Sequence, residues 1–187
     1  MEAILRLVDS IQPASEEVKF QLRNALKEKP VEKNELILKA GQVSQCIYFI
    51  EKGLLRAYYF KRQLEVSAWF MKEGDVTISV SSFFFQTPSK ESIHALEDGF
   101  LYYLTYEDLE EMYKKFPEFN LVGRVITQKY YALSEDRTAA LRMLSAHERY
   151  DYVCQNFPEL VQRVPLKYLA SYLGISEITL KRLRSRK

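Results

Sequence analysis

Cysteine and histidine are scarce: Cys46, Cys154, His94 and His147 are the only four in 187 residues. Two distant cysteines cannot form a disulfide scaffold or a four-cysteine zinc site, and cannot hold an iron–sulfur cluster unaided. The histidines are not at metal-ligand spacing, and two scattered ones do not make the donor cluster of a cupin-like metal enzyme. A catalytic triad, a phosphate-cradling glycine loop and a zinc motif are all missing. No catalytic residue, metal or cofactor is therefore expected, and the chain does not read as an enzyme. Nothing approaches the ~18 uninterrupted apolar residues that span a bilayer. The opening MEAILRLVDSIQPASEE has Glu2, Arg6 and Asp9 inside its apolar stretch. A secretory signal has basic residues first and then an uncharged core, so a cytoplasmic location is expected, with no membrane partner.

What is present is the balance of a globular protein, with 47% hydrophobic and 28% charged residues. That share excludes disorder of the whole chain. The net charge of +2 is unevenly spread. Residues 163–187 carry seven basic side chains against Glu177 alone, so the other 162 residues carry −4. A basic end on a mildly acidic body points to an anionic partner.

Three patterns follow one another along the chain. The first ~28 residues have apolar positions at helical spacing, broken at Pro13, with Ser15 as a cap before Glu16 and Glu17. From Pro30 to Thr105 the segments ELILKA, QCIYFIE, LLRAYYF, EVSAWF, SIHALE and FLYYLT are short and rich in β-branched and aromatic residues. Gly41, Gly53, Gly74 and Gly99 fall between them. Such spacing predicts an antiparallel barrel or jelly roll. In it, His94 and the doublets Tyr58-Tyr59 and Tyr102-Tyr103 read as ordinary strand and packing residues. Thr105 and Asp108 resemble a capping box for a helix ending at Pro117. A long helix is then predicted from Pro117 to Leu144. Phe119, Ile126, Leu133 and Ala140 recur every seven residues, and Gly123, Tyr130, Arg137 and Leu144 follow each by four. That alternation predicts a two-helix dimer seam through Phe119, Ile126, Tyr130, Leu133 and Arg137, although Gly and Arg are poor seam residues; the alternative is a helix packed on its own domain. A shorter helix, ERYDYVCQNF, ends at Pro158.

The last segment, VPLKYLASYLGISEITLKRLRSRK, is the most informative. Leu166 to Leu173 form a helix, Gly174 ends it in a left-handed conformation, and Ser176 caps a second helix. Two helices joined by a tight glycine turn form a helix-turn-helix. Leu169, Leu173, Ile175, Leu180 and Leu183 line the crossing, where Ala170 permits close approach. The outer face of the second helix then shows Glu177, Ile178, Lys181, Arg182 and Ser185. Such a helix fits the DNA major groove. Ser176, Thr179 and the helix-start amides are placed for phosphates. Arg184, Arg186 and Lys187 add attraction that does not depend on sequence.

Together, AGQVSQCIYFIEKGLLRAYY, the turn at Glu73-Gly74-Asp75, the long helix and ASYLGISEITLKRLR resemble the Crp/Fnr (cyclic-AMP receptor protein / fumarate-nitrate regulator) family of bacterial transcription factors. RVPLKYLASYLGIS followed by Leu-x-Arg-x-Arg is similar to the branch common in Bacteroidetes. The resemblance implies a homodimer with a sensor barrel, bound to a palindromic DNA site. Cyclic-AMP-binding members carry Gly-Glu for the ribose and Arg-Ser for the cyclic phosphate. Laid without gaps, this chain has Ile78-Ser79 and Ser89-Lys90 there, and Phe83, Phe84 and Phe85 fill space between them. Ser79, Ser89 and Lys90 are thus the candidate effector-pocket residues. Lys90 could serve a phosphate as a point charge, but the ribose contact is gone, and weak or no cyclic-AMP binding is expected. The family's three main base-reading positions hold Glu177, Ile178 and Arg182 here, and only Arg182 is retained. The target site should therefore differ, with Ile178 suited to a thymine methyl and Arg182 to a guanine. Many relatives continue into a β-hairpin wing that this chain lacks, so dimerisation should contribute more to affinity.

The expected architecture is α+β. Residues 1–116 form a cyclic-nucleotide-binding-like double-stranded β-helix (jelly roll) with flanking helices, 117–145 the dimerisation helix, and 146–187 the helix-turn-helix domain. The expected function is sequence-specific transcriptional regulation by a homodimer on double-stranded DNA. RNA polymerase would be a further partner if the output is activation. The rival reading is a small-molecule-binding module whose basic tail docks to a protein.

Overall fold

The computed structural model describes residues 1–185. Two helices, α1 (Glu2–Ile11) and α2 (Glu16–Ala25), come first. Ser15 caps α2 by accepting the Val18 N–H at 3.3 Å. Eight strands follow: β1 (Lys27–Val31), β2 (Leu36–Leu38), β3 (Cys46–Lys52), β4 (Leu55–Lys61), β5 (Leu64–Met71), β6 (Val76–Thr77), β7 (Ser92–Ala95) and β8 (Gly99–Thr105), with α3 (Val80–Phe85) between β6 and β7. They form two four-stranded sheets, ordered β1-β8-β3-β6 and β2-β7-β4-β5. This strand order is that of a jelly roll. Helices α4 (Tyr106–Lys115), α5 (Phe119–Met143), α6 (Ala146–Asn156), α7 (Pro158–Arg163), α8 (Leu166–Leu173) and α9 (Glu177–Arg184) complete the chain.

Four elements escape the residue pattern. KEKPV forms β1 despite Pro30, because β1 lies at a sheet edge, where a missing N–H is tolerated. The two-residue β6 is too short to show alternation. Helix α3 occupies what reads as a loop. Pro158 ends α6 and also opens α7, where its fixed φ suits the first helical position. The Thr105/Asp108 capping box forms as expected, and Ser145/Glu148 make a second at α6.

The residues cluster into two compact units, 1–56 with 71–129 and 57–70 with 130–187. The division falls inside α5, and Ala57–Phe70, nearly the whole β4–β5 hairpin, clusters with the C-terminal helices. The first unit is built around Val18, Leu22, Phe49, Tyr102, Leu104, Leu109, Met112, Phe116 and Phe119. The second buries Val153, Leu160, Leu169, Leu173 and Leu180. Among the described residues no helix is long and apolar enough to cross a membrane, and no cluster of His, Cys, Asp or Glu could hold a metal.

Candidate functional site

Helices α8 and α9 form the tight pair expected of a helix-turn-helix. Gly174 has φ 67° and ψ 34°, and the Ile175 N–H reaches back to the Ala170 carbonyl at 3.0 Å. That closure turns the chain within two residues. Leu169 and Leu180 are fully buried, with Ala170, Leu173 and Leu183 nearly so. Ser176 accepts the Thr179 N–H at 3.1 Å, and the two hydroxyls lie 2.9 Å apart. These hydroxyls thus pair with each other and start the helix. Glu177, Ile178, Lys181 and Arg182 are all exposed, Ile178 by 80%. That exposure rules out packing of Ile178 on α8. Arg184 is turned back, with its guanidinium bonded to the Val161 carbonyl at 2.7 Å, so it ties α9 to α7 and does not face outward. Arg186 and Lys187 lie outside the described residues.

The effector-pocket candidates separate. Ser79 and Ser89 are buried with their hydroxyls 2.9 Å apart, while Lys90 is exposed. Lys90 is therefore not a pocket charge. The half-buried neighbour, Glu91, is a carboxyl that burial pushes above its usual range, against a hydrogen bond from Ser79 that holds it down. The Glu91 N–H donates to Ser89 Oγ at 3.1 Å, and Ser89 Oγ donates to the Glu91 carbonyl at 2.7 Å. Ser82 Oγ accepts the Ser44 N–H at 2.8 Å and donates to the Thr87 carbonyl at 2.5 Å. The hydroxyls of the cassette are thus used internally, beside an acid that would repel a phosphate. Of the three phenylalanines only Phe83 fills space, edge-on to Tyr106 at 5.4 Å. Phe84 and Phe85 are exposed, because the buried face of the short α3 is made by Ser82 and Phe83.

The seam candidates also divide. Phe119 is buried in the first unit against Tyr113, and Ile126 packs on the same core. Neither Phe119 nor Arg137 is open to a partner helix. Arg137 places its guanidinium 3.5 Å from the centre of the Tyr172 ring. Its Nη2 donates to the carbonyls of Tyr172 at 3.0 Å and Ser67 at 3.4 Å. Burial lowers its pKa from the ordinary arginine value. Leu133 lines a cleft on the same side. Gly123 faces the Tyr113 phenol, which a Cβ would overlap. The two residues that suit a seam least thus serve the chain's own packing.

Residues not singled out by sequence connect α8 to the hairpin. Ser171 Oγ accepts the Ser67 N–H at 2.8 Å and donates to the Glu65 carbonyl at 3.3 Å. Phe70 packs on Tyr172 at 5.1 Å. Strand β5 is a sheet edge, so Ser171 and Arg137 bond to its outer backbone groups.

Residues 28–116 match the model of the cyclic nucleotide-binding domain. No curated protein matches the chain. Among solved structures it is similar to the Thermus thermophilus catabolite activator protein, at 20% identity and TM-score 0.58, over 94% of this chain and 84% of that one. FixK2 from Bradyrhizobium japonicum gives 19% identity and TM-score 0.71, over 86% and 83%. A Eubacterium rectale protein described as a transcriptional regulator of the crp/fnr family gives 13% and 0.71, over 91% and 82%. Identities this low establish the fold and nothing finer.

Proposed function

We propose that this chain, whose residues 28–116 match the cyclic nucleotide-binding domain, is a homodimeric transcriptional regulator of the Crp/Fnr type that reads double-stranded DNA with α9. The observation that carries this reading is the α8–Gly174–α9 turn, which buries its leucines and leaves Ile178, Lys181 and Arg182 in solvent. Neither Lys181 nor Arg182 has an ion-pair partner among the described residues. A basic helix with an exposed apolar residue is suited to a groove that offers guanine acceptors and thymine methyls. Glu177 would accept from a cytosine amine, and Ser176 and Thr179 would meet phosphates through the helix-start amides.

Two copies would pair along α5. Its face at Leu121, Val125, Gln128, Ala132, Glu135 and Ala139 keeps the alternating spacing of a two-helix seam and is half-buried or exposed. This face replaces Phe119 and Arg137, and Ile126, Tyr130 and Leu133 would flank it. Cyclic AMP would not be the effector, since the cassette holds Glu91 and no arginine. No catalysis is proposed.

The test is selection of bound fragments from random duplex DNA at two salt concentrations. The expected result is an inverted repeat with half-sites about one helical turn apart, bound with steep salt dependence. Arg182→Ala should cost ~1–3 kcal/mol at one base pair and relax specificity there. An equal loss on every sequence would make Arg182 a phosphate contact. No binding at low salt would overturn the reading in favour of a tail that docks to a protein.

A further inference from the structure

The basic side chains of the second unit divide into those used inside it and those left in solvent. Arg137, Arg149 and Arg184 are bonded to main-chain carbonyls. Lys181 and Arg182 are exposed on α9, on the face suited to base edges. Ser176 and Thr179 bond to each other, so one of their two hydroxyl protons is already spent. A helix in the groove still needs a grip on the phosphates beside it, and contacts of that kind fix its register. On α8, Lys167 is exposed and has no ion-pair partner among the described residues. Its Nζ lies 4.6 Å from the centre of the Tyr168 ring.

Its neighbours one turn along α8 place this side chain. Ala170, three residues on and on the same side of the helix, is where α9 closes, its carbonyl accepting the Ile175 N–H at 3.0 Å. Ser171, four residues on, bonds to the backbone of Ser67 and Glu65 in β5. The side of α8 that carries Lys167 is thus fixed to α9 and to the hairpin. The eight residues of α8 make it about 12 Å long, and the major groove is ~12 Å wide. With α9 in the groove, the first helix of such a pair crosses the bordering strand. The first turn of α8 then reaches the phosphates of that strand. An ammonium on a flexible stem suits a phosphate as a point charge and carries no planar fork for a base. The Tyr168 ring steadies it. We propose that Lys167 is a backbone anchor, its ammonium holding one phosphate of the strand beside the groove and so positioning α9 without reading a base. The proposal rests on the DNA-binding reading of α9 and names the residue that grips the backbone for it.

The test measures affinity of the full-length protein for the selected inverted repeat and for a shuffled duplex of equal length, between about 50 and 200 mM salt. Lys167→Gln should weaken both duplexes by the same factor, at least about fivefold near 100 mM salt. It should also lower the slope of log affinity against log salt by about 2 for a dimer, one phosphate for each copy. Lys167→Arg keeps the charge and should restore the slope. Lys114→Gln, an exposed lysine of the first unit, should leave it unchanged. Arg182→Ala should instead narrow the difference between the two duplexes. Because Lys167 is exposed, the urea midpoint of Lys167→Gln should match that of the unmutated protein, so unfolding does not mimic the effect. An unchanged slope, or a loss confined to the selected repeat, would overturn the anchor and leave the DNA-binding reading in place. No binding of either duplex by the unmutated protein would overturn both.

Discussion

Ile178 leaves 80% of its side chain in water on α9, beside Lys181 and Arg182. An isolated exposed apolar residue is ordinary. Its place on the outer face of the second helix of the α8–Gly174–α9 pair is what gives it meaning. That helix was legible in the residues because its signals are local: a capping serine, a glycine turn and leucines at close spacing. The cassette was less legible, since its chemistry depends on which way a short segment faces. Lys90 reads as the pocket charge, yet Lys90 is exposed and Glu91 is half-buried. Both residues lie in the bend before β7, where no strand alternation says which side chain turns inward. Glu91 carries a prediction. Its folded pKa lies above its ordinary value of 4.5 because burial disfavours the charged form. Between the ordinary and the raised value the native state holds more protons than the unfolded one, so stability falls as pH rises through that window. Glu91→Gln should therefore stabilise the protein at neutral pH, with the gain shrinking as pH falls towards 4.5. Urea unfolding at several pH values measures this, and a gain that grows in acid would contradict it.

At the scale of elements, the hairpin and α8 are joined by polar groups. Ser171 and Arg137 together make four hydrogen bonds to main-chain groups of Glu65, Ser67 and Tyr172. Hydrogen bonds from a charged donor contribute about 1.5–3 kcal/mol each when geometry is good, and stacking on Tyr172 adds to them. Lysine keeps the charge but not the planar fork. Arg137→Lys should speed amide exchange at Ser67 and along α8, while the buried amides of β3 and β8 keep their protection. Uniform exchange across the protein would indicate general destabilisation instead. The reading of α5 shows why periodicity reaches only so far. Phe119, Ile126 and Leu133 do form an apolar face at seven-residue spacing. Two of them face the first unit's core, and the third lines the cleft. A hydrophobic stripe says that something covers it, not whether the cover is another copy or the same chain. The misfits, Gly123 and Arg137, were the residues that could have decided the question. Each is required by a tertiary neighbour, Tyr113 or Tyr172, that no local pattern reveals.

For the whole molecule the decisive question is assembly. If two copies pair along the face at Leu121, Val125 and Ala132, a large charge there should separate them. Ala132→Glu should convert a dimer into a monomer in sedimentation and lower affinity for an inverted repeat more than for a half-site. Because Ala132 is exposed on α5, the fold itself should change little, by about 0.5 kcal/mol. A variant that stays dimeric would place the contact on another face. The same edge strand has a further consequence. An uncovered β5 would offer a row of free N–H and C=O groups, next to the exposed Phe60 and Leu64, to any other extended chain. Such an edge is the usual starting point for uncontrolled sheet growth between molecules. With Ser171 and Arg137 seated on its backbone, that template is occupied. The clasp is then also a guard against aggregation, and it protects the protein only while the helices that supply it stay folded.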